Sequence, residues 1–180
     1  MKIGVFLHGT AIMHASAAGV DREERVRQVR LREPSVRDFA SYVPTPGTAG
    51  KLAAWQGHGA SIAYLSSHRR QHDIRADEAV IRRHGFPAGP VYGRQQGEDY
   101  GTLVERLGLD VLVEDDCESI GGAAQTCAAQ LSPGSRQTTR CTVLPEFAGL
   151  ADLPDDPAGL LEPRDTITSQ EDRGTSPAPG

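Results

Sequence analysis

Three short stretches concentrate the polar side chains that could do chemistry: Phe6-Leu7-His8-Gly9-Thr10, Leu65-Ser66-Ser67-His68-Arg69 and Val113-Glu114-Asp115-Asp116-Cys117-Glu118-Ser119. Each closes an otherwise apolar run. Adjacent Asp115 and Asp116 cannot both face one way along a strand, but at its end both can turn toward one hard cation, and oxygen ligands suit magnesium. The alternative is that Asp116 or Ser119 caps a helix opening at Gly121-Gly122. His8, in a tight turn before Gly9-Thr10, is placed for general acid or base work; otherwise it is a neutral imidazole bonded to a backbone carbonyl. Thr10, Ser66, Ser67, His68 and Arg69 offer hydroxyl, imidazole and guanidinium donors to an anionic group, although Ser66 and Ser67 can equally well just close the turn. His68 and His72 have metal-ligand spacing only on one continuous helix. Asp73 is the expected start of that helix, which argues against a zinc pair.

The elements that must position these residues are punctuated clearly. Lys2 to Leu7, Ser61 to Leu65, Asp110 to Glu114 and Arg140 to Leu144 read as strands, with Val91-Tyr92 a weak fifth. Helices are expected from Asp21 to near Pro34, over 46–56 behind a Thr45 cap, from Asp73 to His84, over Glu98–Leu107 and over Ser119–Leu131. Asp21 and Glu24 have capping-box spacing. The arginine-rich helix that they open reads as a solvated helix lying on the domain, the alternative being a lid. Alternating strands and helices imply right-handed crossovers, hence an α/β three-layer Rossmann-like sandwich with a mostly parallel sheet. In such a sheet ligands bind beyond the carboxyl ends of the strands, where the three polar stretches fall.

Composition narrows the function. The 180 residues fit one domain, and 38% hydrophobic content is that of a globular chain. With 19 Lys and Arg against 24 Asp and Glu, the net charge of −5 implies no nucleic-acid partner and no anionic membrane. No apolar run approaches the roughly 20 residues of a transmembrane helix. The start of the chain lacks a signal-peptide pattern, so a cytoplasmic location is expected. Cys117, Cys127 and Cys141 are odd in number and not in CxxC spacing, and read as small buried hydrophobes. The region 163–180 carries one aliphatic residue and is expected to be a disordered tail after a single domain spanning 1–162.

Taken together, these residues resemble the haloacid dehalogenase superfamily, Rossmann-like hydrolases that are mostly magnesium-dependent phosphatases. Phe6-Leu7-His8-Gly9-Thr10 falls where that family has Asp-x-Asp-Gly-Thr, Ser66 matches the Ser or Thr ending its second strand, and Asp115-Asp116 match its late acidic motif. The insert 11–44 occupies the place of the family's small cap, and Arg94 is the nearest counterpart of its basic residue. The resemblance implies catalytic roles for His8 and Asp115, magnesium on Asp115 and Asp116, and a small phosphorylated or other anionic substrate met by Thr10, Ser66, Ser67, His68, Arg69 and Arg94. One departure is decisive for mechanism. Phe6 stands where the family has its nucleophilic Asp, so an aspartyl-phosphate cannot form there. Two expectations follow: a hydrolase of altered mechanism, or a non-catalytic ligand-binding or regulatory module of the same fold.

Overall fold

The computed structural model describes residues 1–162; the tail expected at 163–180 lies outside the described residues. In chain order the main elements are β1 (Lys2–Phe6), β2 (Ile12–Met13), α1 (Arg22–Arg30), β3 (Val43–Pro44), α2 (Thr48–Gly57), β4 (Ser61–Leu65) and α3 (Gln71–Arg83). They continue with β5 (Val91–Tyr92), α4 (Tyr100–Leu107), β6 (Val111–Asp115), α5 (Cys127–Gln130), α6 (Ser135–Thr138) and β7 (Arg140–Leu144).

Alternation along three apolar strands divides the core between the two faces of one sheet. Ile3, Val5 and Leu7 share a face with Ile62, Tyr64, Val111 and Val113, whereas Phe6, Ala63, Leu65 and Leu112 share the other. Successive strand side chains point to opposite sides, so an unbroken apolar run is what a strand covered on both faces requires. The sheet is parallel throughout in the order β5-β4-β1-β6-β7, with Gly4 of central β1 opposite both Ala63 and Leu112. Gly4 is a close approach: a Cβ there would meet Leu109 Cδ1 at 2.3 Å.

Leu52 and Trp55 of α2, Val80 and Ile81 of α3, and Leu150, Leu153 and Leu160 from the C-terminal segment cover the first face. Burying each of these large side chains contributes about 1.5–3 kcal/mol. Trp55 also satisfies its indole N–H by donating to Pro154 O at 2.8 Å, which ties α2 to the same segment. Leu103, Val104 and Leu107 of α4, with Cys127 and Leu131, cover the second face and complete the three layers. Among the described residues no helix is long and apolar enough to cross a membrane.

Several expected boundaries shift, each for a local reason. Thr45 is not a cap: its hydroxyl donates to Thr10 O at 2.6 Å, and α2 begins only after Gly47 turns the chain at φ +70°. α3 begins at Gln71, so Asp73 lies inside its first turn, and His72 is on the helix but bonds to Asp73 at the surface. Asp99, rather than the region before Glu98, caps α4 by accepting from Thr102 N. The helix expected over Ser119–Leu131 does not form. Gly121 and Gly122 take φ +131° and +75°, leaving two short 3-10 turns and the single-turn α5 behind a Thr126 cap. Asp21 does cap α1 by accepting from Glu24 N, but the Glu24 carboxylate pairs with Arg27 instead of reaching back.

The insert 11–44 leaves and returns through an antiparallel ribbon in which Ile12 pairs with Pro44 and Met13 with Val43. Above that ribbon α1 packs Val26 into a small separate core with Met13, Ala17 and Phe147.

Candidate functional site

The carboxyl ends of β1, β4 and β6 converge on a cavity of about 200 Å³, whose walls include Phe6, His8, Tyr42, Ser67, Asp115 and Glu146. α1 contributes Val29 to the same wall, and Arg22 reaches across to Glu118 at 2.6 Å and Asp116 at 3.4 Å. α1 lies on the domain with most of its side chains exposed or half-buried, as expected of a solvated helix, while Val29 on its inner side joins the cavity wall.

One side of the cavity is an imidazole network. His8 Nε2 lies 3.1 Å from Asp77 Oδ1, and His8 Nδ1 lies 2.9 Å from Ser67 Oγ. Asp77, on α3, has 0% exposure and also accepts from Ser66 Oγ at 2.5 Å. Ser66 in turn accepts from His68 N at 3.0 Å. The His8 ring is held edge-on against His68 and Tyr42, with centroids 4.6 and 5.6 Å away. Burial, then the neighbouring His8, lowers the His68 pKa, and among the described residues its Nε2 has no hydrogen-bond partner. His8, His68 and Asp77 thus bring three ligand-type atoms within 4.8 Å of one another.

The other side is acidic. Asp115 Oδ2 accepts from Thr10 Oγ1 at 2.7 Å and Oδ1 from Cys117 N at 2.9 Å. Asp116 Oδ1 accepts from Glu146 N at 3.0 Å, while the Glu146 carboxylate takes the N–H and hydroxyl of Ser119, each at 2.7 Å. Burial pushes the Asp115 carboxyl above its ordinary range, although Thr10 and Cys117 N oppose the shift. Burial likewise pushes Glu146 up to about 7, with the charges of Asp115 and Asp116 adding to it. Asp115, Asp116 and Glu146 place carboxylate oxygens within 4.8 Å of one another. The backbone is strained where this wall is built: Cys117 and Phe147 have φ +54° and +64°, and Phe147 N donates to Gly9 O at 2.7 Å.

Of the residues singled out in the sequence, His8, Ser67 and Asp115 line the cavity, with Thr10 bonded directly to Asp115. Five others take different places. Ser66 is fully buried behind Asp77, and His68 packs against His8 rather than lining the cavity. Arg69 is exposed and lies outside the lining. Arg94 stacks 3.8 Å over the ring of cavity-lining Tyr100, with its Nε unpartnered among the described residues, and is itself outside the lining. Asp116 is 38% exposed and does not cap a helix by itself. Glu114, its near neighbour, faces the opposite side of the sheet and accepts from Cys127 N and Ala128 N at the start of α5.

The sequence reading missed Asp77 and Glu146. Asp77 had a signal: it interrupts the apolar stripe of Ile74, Val80 and Ile81 on α3, where a carboxylate must have partners. Glu146, in the loop after β7, had none. All three cysteines are free; burial raises the Cys117 and Cys127 thiols and holds Cys141 at about 11, so none is poised as a thiolate.

No protein-family model and no curated protein sequence matches the chain. Among solved structures, the class C acid phosphatase from Bacillus anthracis with tungstate bound aligns with a TM-score of 0.51 at 13% identity, covering 83% of this chain and 68% of that one. A second structure of that phosphatase aligns at 0.51 and 15% identity over the same shares. The protein has a haloacid-dehalogenase-like fold. A chain from the Pnkp1/Rnl/Hen1 complex aligns at 0.48 and 11% identity, covering 81% of this chain; the present chain spans only 46% of that protein's length. Within the haloacid-dehalogenase-like framework, Phe6 occupies the position after which the first strand opens into the cavity, and its ring meets Tyr100 edge-on at 5.2 Å.

Proposed function

We propose that this haloacid-dehalogenase-like protein is a phosphatase-type hydrolase of altered mechanism, acting on a small phosphorylated or similarly anionic metabolite, in which His8 moves the protons. One observation carries the reading: His8 lines the cavity, held from behind by fully buried Asp77, and faces a wall of converging carboxylates. An imidazole anchored through Nε2 by a buried carboxylate turns Nδ1, bonded to Ser67 Oγ, toward the cavity, which is the geometry of a general acid or base. The class C acid phosphatase of the same fold, which binds tungstate, supports an anionic substrate.

The donor set of Asp115, Asp116 and Glu146 suits a hard cation, because burial disfavours the ionised carboxylates of Asp115 and Glu146 unless positive charge relieves them. Magnesium held there would neutralise the charge of a bound phosphoryl group. Thr10 positions Asp115, Ser67 meets the substrate, and Arg22 steadies Asp116 from α1. In this reading residues 1–162 work as one unit, with 11–44 as a small cap that closes over the cavity.

A non-catalytic binding module is the second reading, favoured by Phe6, whose packing on Tyr100 fills the position of the family's nucleophile. Phosphate release from a panel of phosphorylated metabolites with magnesium, measured beside ligand-induced thermal stabilisation, separates the two. Release that is lost in His8→Ala supports the hydrolase, and stabilisation without release supports the binding module. Neither response from any phosphorylated compound overturns both.

A further inference from the structure

We propose that Ser67 is the nucleophile of this site, with His8 as its general base and Asp77 as the residue that sets the base's tautomer. The inference deepens the hydrolase reading and rests on it for the choice of a phosphoryl group as the electrophile. Its geometry stands on Asp77, which is fully buried and as a carboxylate can only accept. The His8 nitrogen 3.1 Å from Asp77 Oδ1 is Nε2, so Nε2 carries the ring proton. Nδ1 then presents a lone pair, 2.9 Å from Ser67 Oγ, and the serine hydroxyl must be the donor in that contact. Nucleophile to base and base to carboxylate are the two contacts that define an activated serine, whatever the order of the residues along the chain.

Three further features bear on it. Ser66 donates its own proton to Asp77 Oδ2 at 2.5 Å, which pins the carboxylate and distinguishes the two adjacent serines. Ser66 is fully buried, whereas Ser67 and His8 both line the cavity. The rings of His68 and Tyr42 pack against the imidazole from two sides and restrict its rotation. The nucleophile would therefore stand at the end of β4, one strand away from Phe6, and a covalent route survives without a carboxylate at position 6.

The steps balance without any redox partner. Ser67 Oγ attacks phosphorus as its proton passes to His8 Nδ1; the bond from phosphorus to the leaving oxygen breaks, and that oxygen takes the proton from Nδ1 to leave as an alcohol. Water then attacks the phosphoserine, giving its proton to Nδ1. The bond from phosphorus to Ser67 Oγ breaks, the serine oxygen recovers the proton, and inorganic phosphate departs.

The test is reaction of the full chain with a fluorophosphonate, a phosphorus electrophile, with the adduct located by peptide mass spectrometry. The expected result is one adduct on Ser67, absent in Ser67→Ala, and formed at least roughly a hundredfold more slowly in His8→Ala, the lower end of what a general base contributes. Mapping the wild-type adduct needs no variant to fold. An adduct on Ser66 or on no serine, or an undiminished rate in His8→Ala, overturns the proposal. Phosphate release that persists in Ser67→Ala overturns it while leaving the hydrolase reading intact. Labelled Ser67 in a protein that releases no phosphate sinks the phosphatase reading alone.

Discussion

Asp77 Oδ1 lies 3.1 Å from His8 Nε2 although the two residues are 69 positions apart, one inside a helix and the other in the turn after the first strand. Because Asp77 also accepts from Ser66, both of its oxygens are committed as acceptors, and the isosteric amide can accept from only one of the two partners. Asp77→Asn should cost about 1–3 kcal/mol by leaving a buried polar group mismatched. Urea denaturation checks it, and a loss below about 0.5 kcal/mol would mean that the contact adds little beyond an ordinary net hydrogen bond.

The acidic wall predicts a metal response. Burial raises the Asp115 carboxyl and so favours an uncharged side chain, but its two oxygens accept from Thr10 Oγ1 and Cys117 N, and an amide can replace only one of these acceptors. Asp115→Asn should lower apo stability by no more than about 1–3 kcal/mol and abolish magnesium binding, with Asp116→Asn weakening it. Calorimetric titration reads both, and a wild type that binds neither magnesium nor manganese excludes the cation.

Phe6→Asp should not restore efficient phosphatase turnover. The change removes the edge contact with Tyr100 and adds a carboxylate to a cavity that already holds Asp115 and Glu146. A stability loss of about 1–3 kcal/mol is expected, with phosphate release in magnesium little changed. Robust turnover by this single variant would mean that the family's usual aspartyl route needs nothing else here.

Gly9→Ala tests how tightly the turn is drawn against the acidic wall. Gly9 has φ +87°, and a Cβ there would meet Asp115 Oδ2 at 2.7 Å. The left-handed backbone alone costs about 1–2 kcal/mol, or roughly 2–8 °C of melting temperature for a domain of this size. A melting temperature equal to wild type would show that the turn relaxes freely.

His14 makes the stability of the fold depend on pH. It is almost fully buried with Nε2 2.7 Å from Gln28 Oε1, and burial lowers its pKa despite the opposing effects of Gln28 and Glu33. The native state therefore binds fewer protons at this residue than the unfolded chain does. Its contribution is complete above about pH 6.5, the unfolded value, and is lost as the pH falls below it. Denaturation at pH 7.5 and 5.5 should show a smaller difference for His14→Gln than for wild type; equal differences would remove His14 as the cause.

What was legible in the sequence was local. Ser61–Leu65, Val91–Tyr92 and Arg140–Leu144 form as read, and the central strand nearly so, because apolar content and turn residues within a few positions decide whether a segment is a strand. The three polar strand ends could be recognised for the same reason, and a parallel sheet must bring such ends to one side. Local signals failed where backbone conformation overrode pattern: Gly121 and Gly122 lie within an apolar stretch that reads as a helix, yet their positive φ breaks it.

By itself, then, the sequence determined the strands, their shared polar edge, and the absence of a carboxylate at position 6. The tertiary structure alone decided which polar groups meet. Asp77 reaches His8 from α3, and Glu146 approaches Asp116 from beyond the last strand, 30 residues away. It also separated Ser66 from Ser67, hiding one behind a carboxylate and turning the other into the cavity. These assignments depend on how helices and loops pack onto the sheet, and a buried acid finds its partners only where that packing excludes water from both.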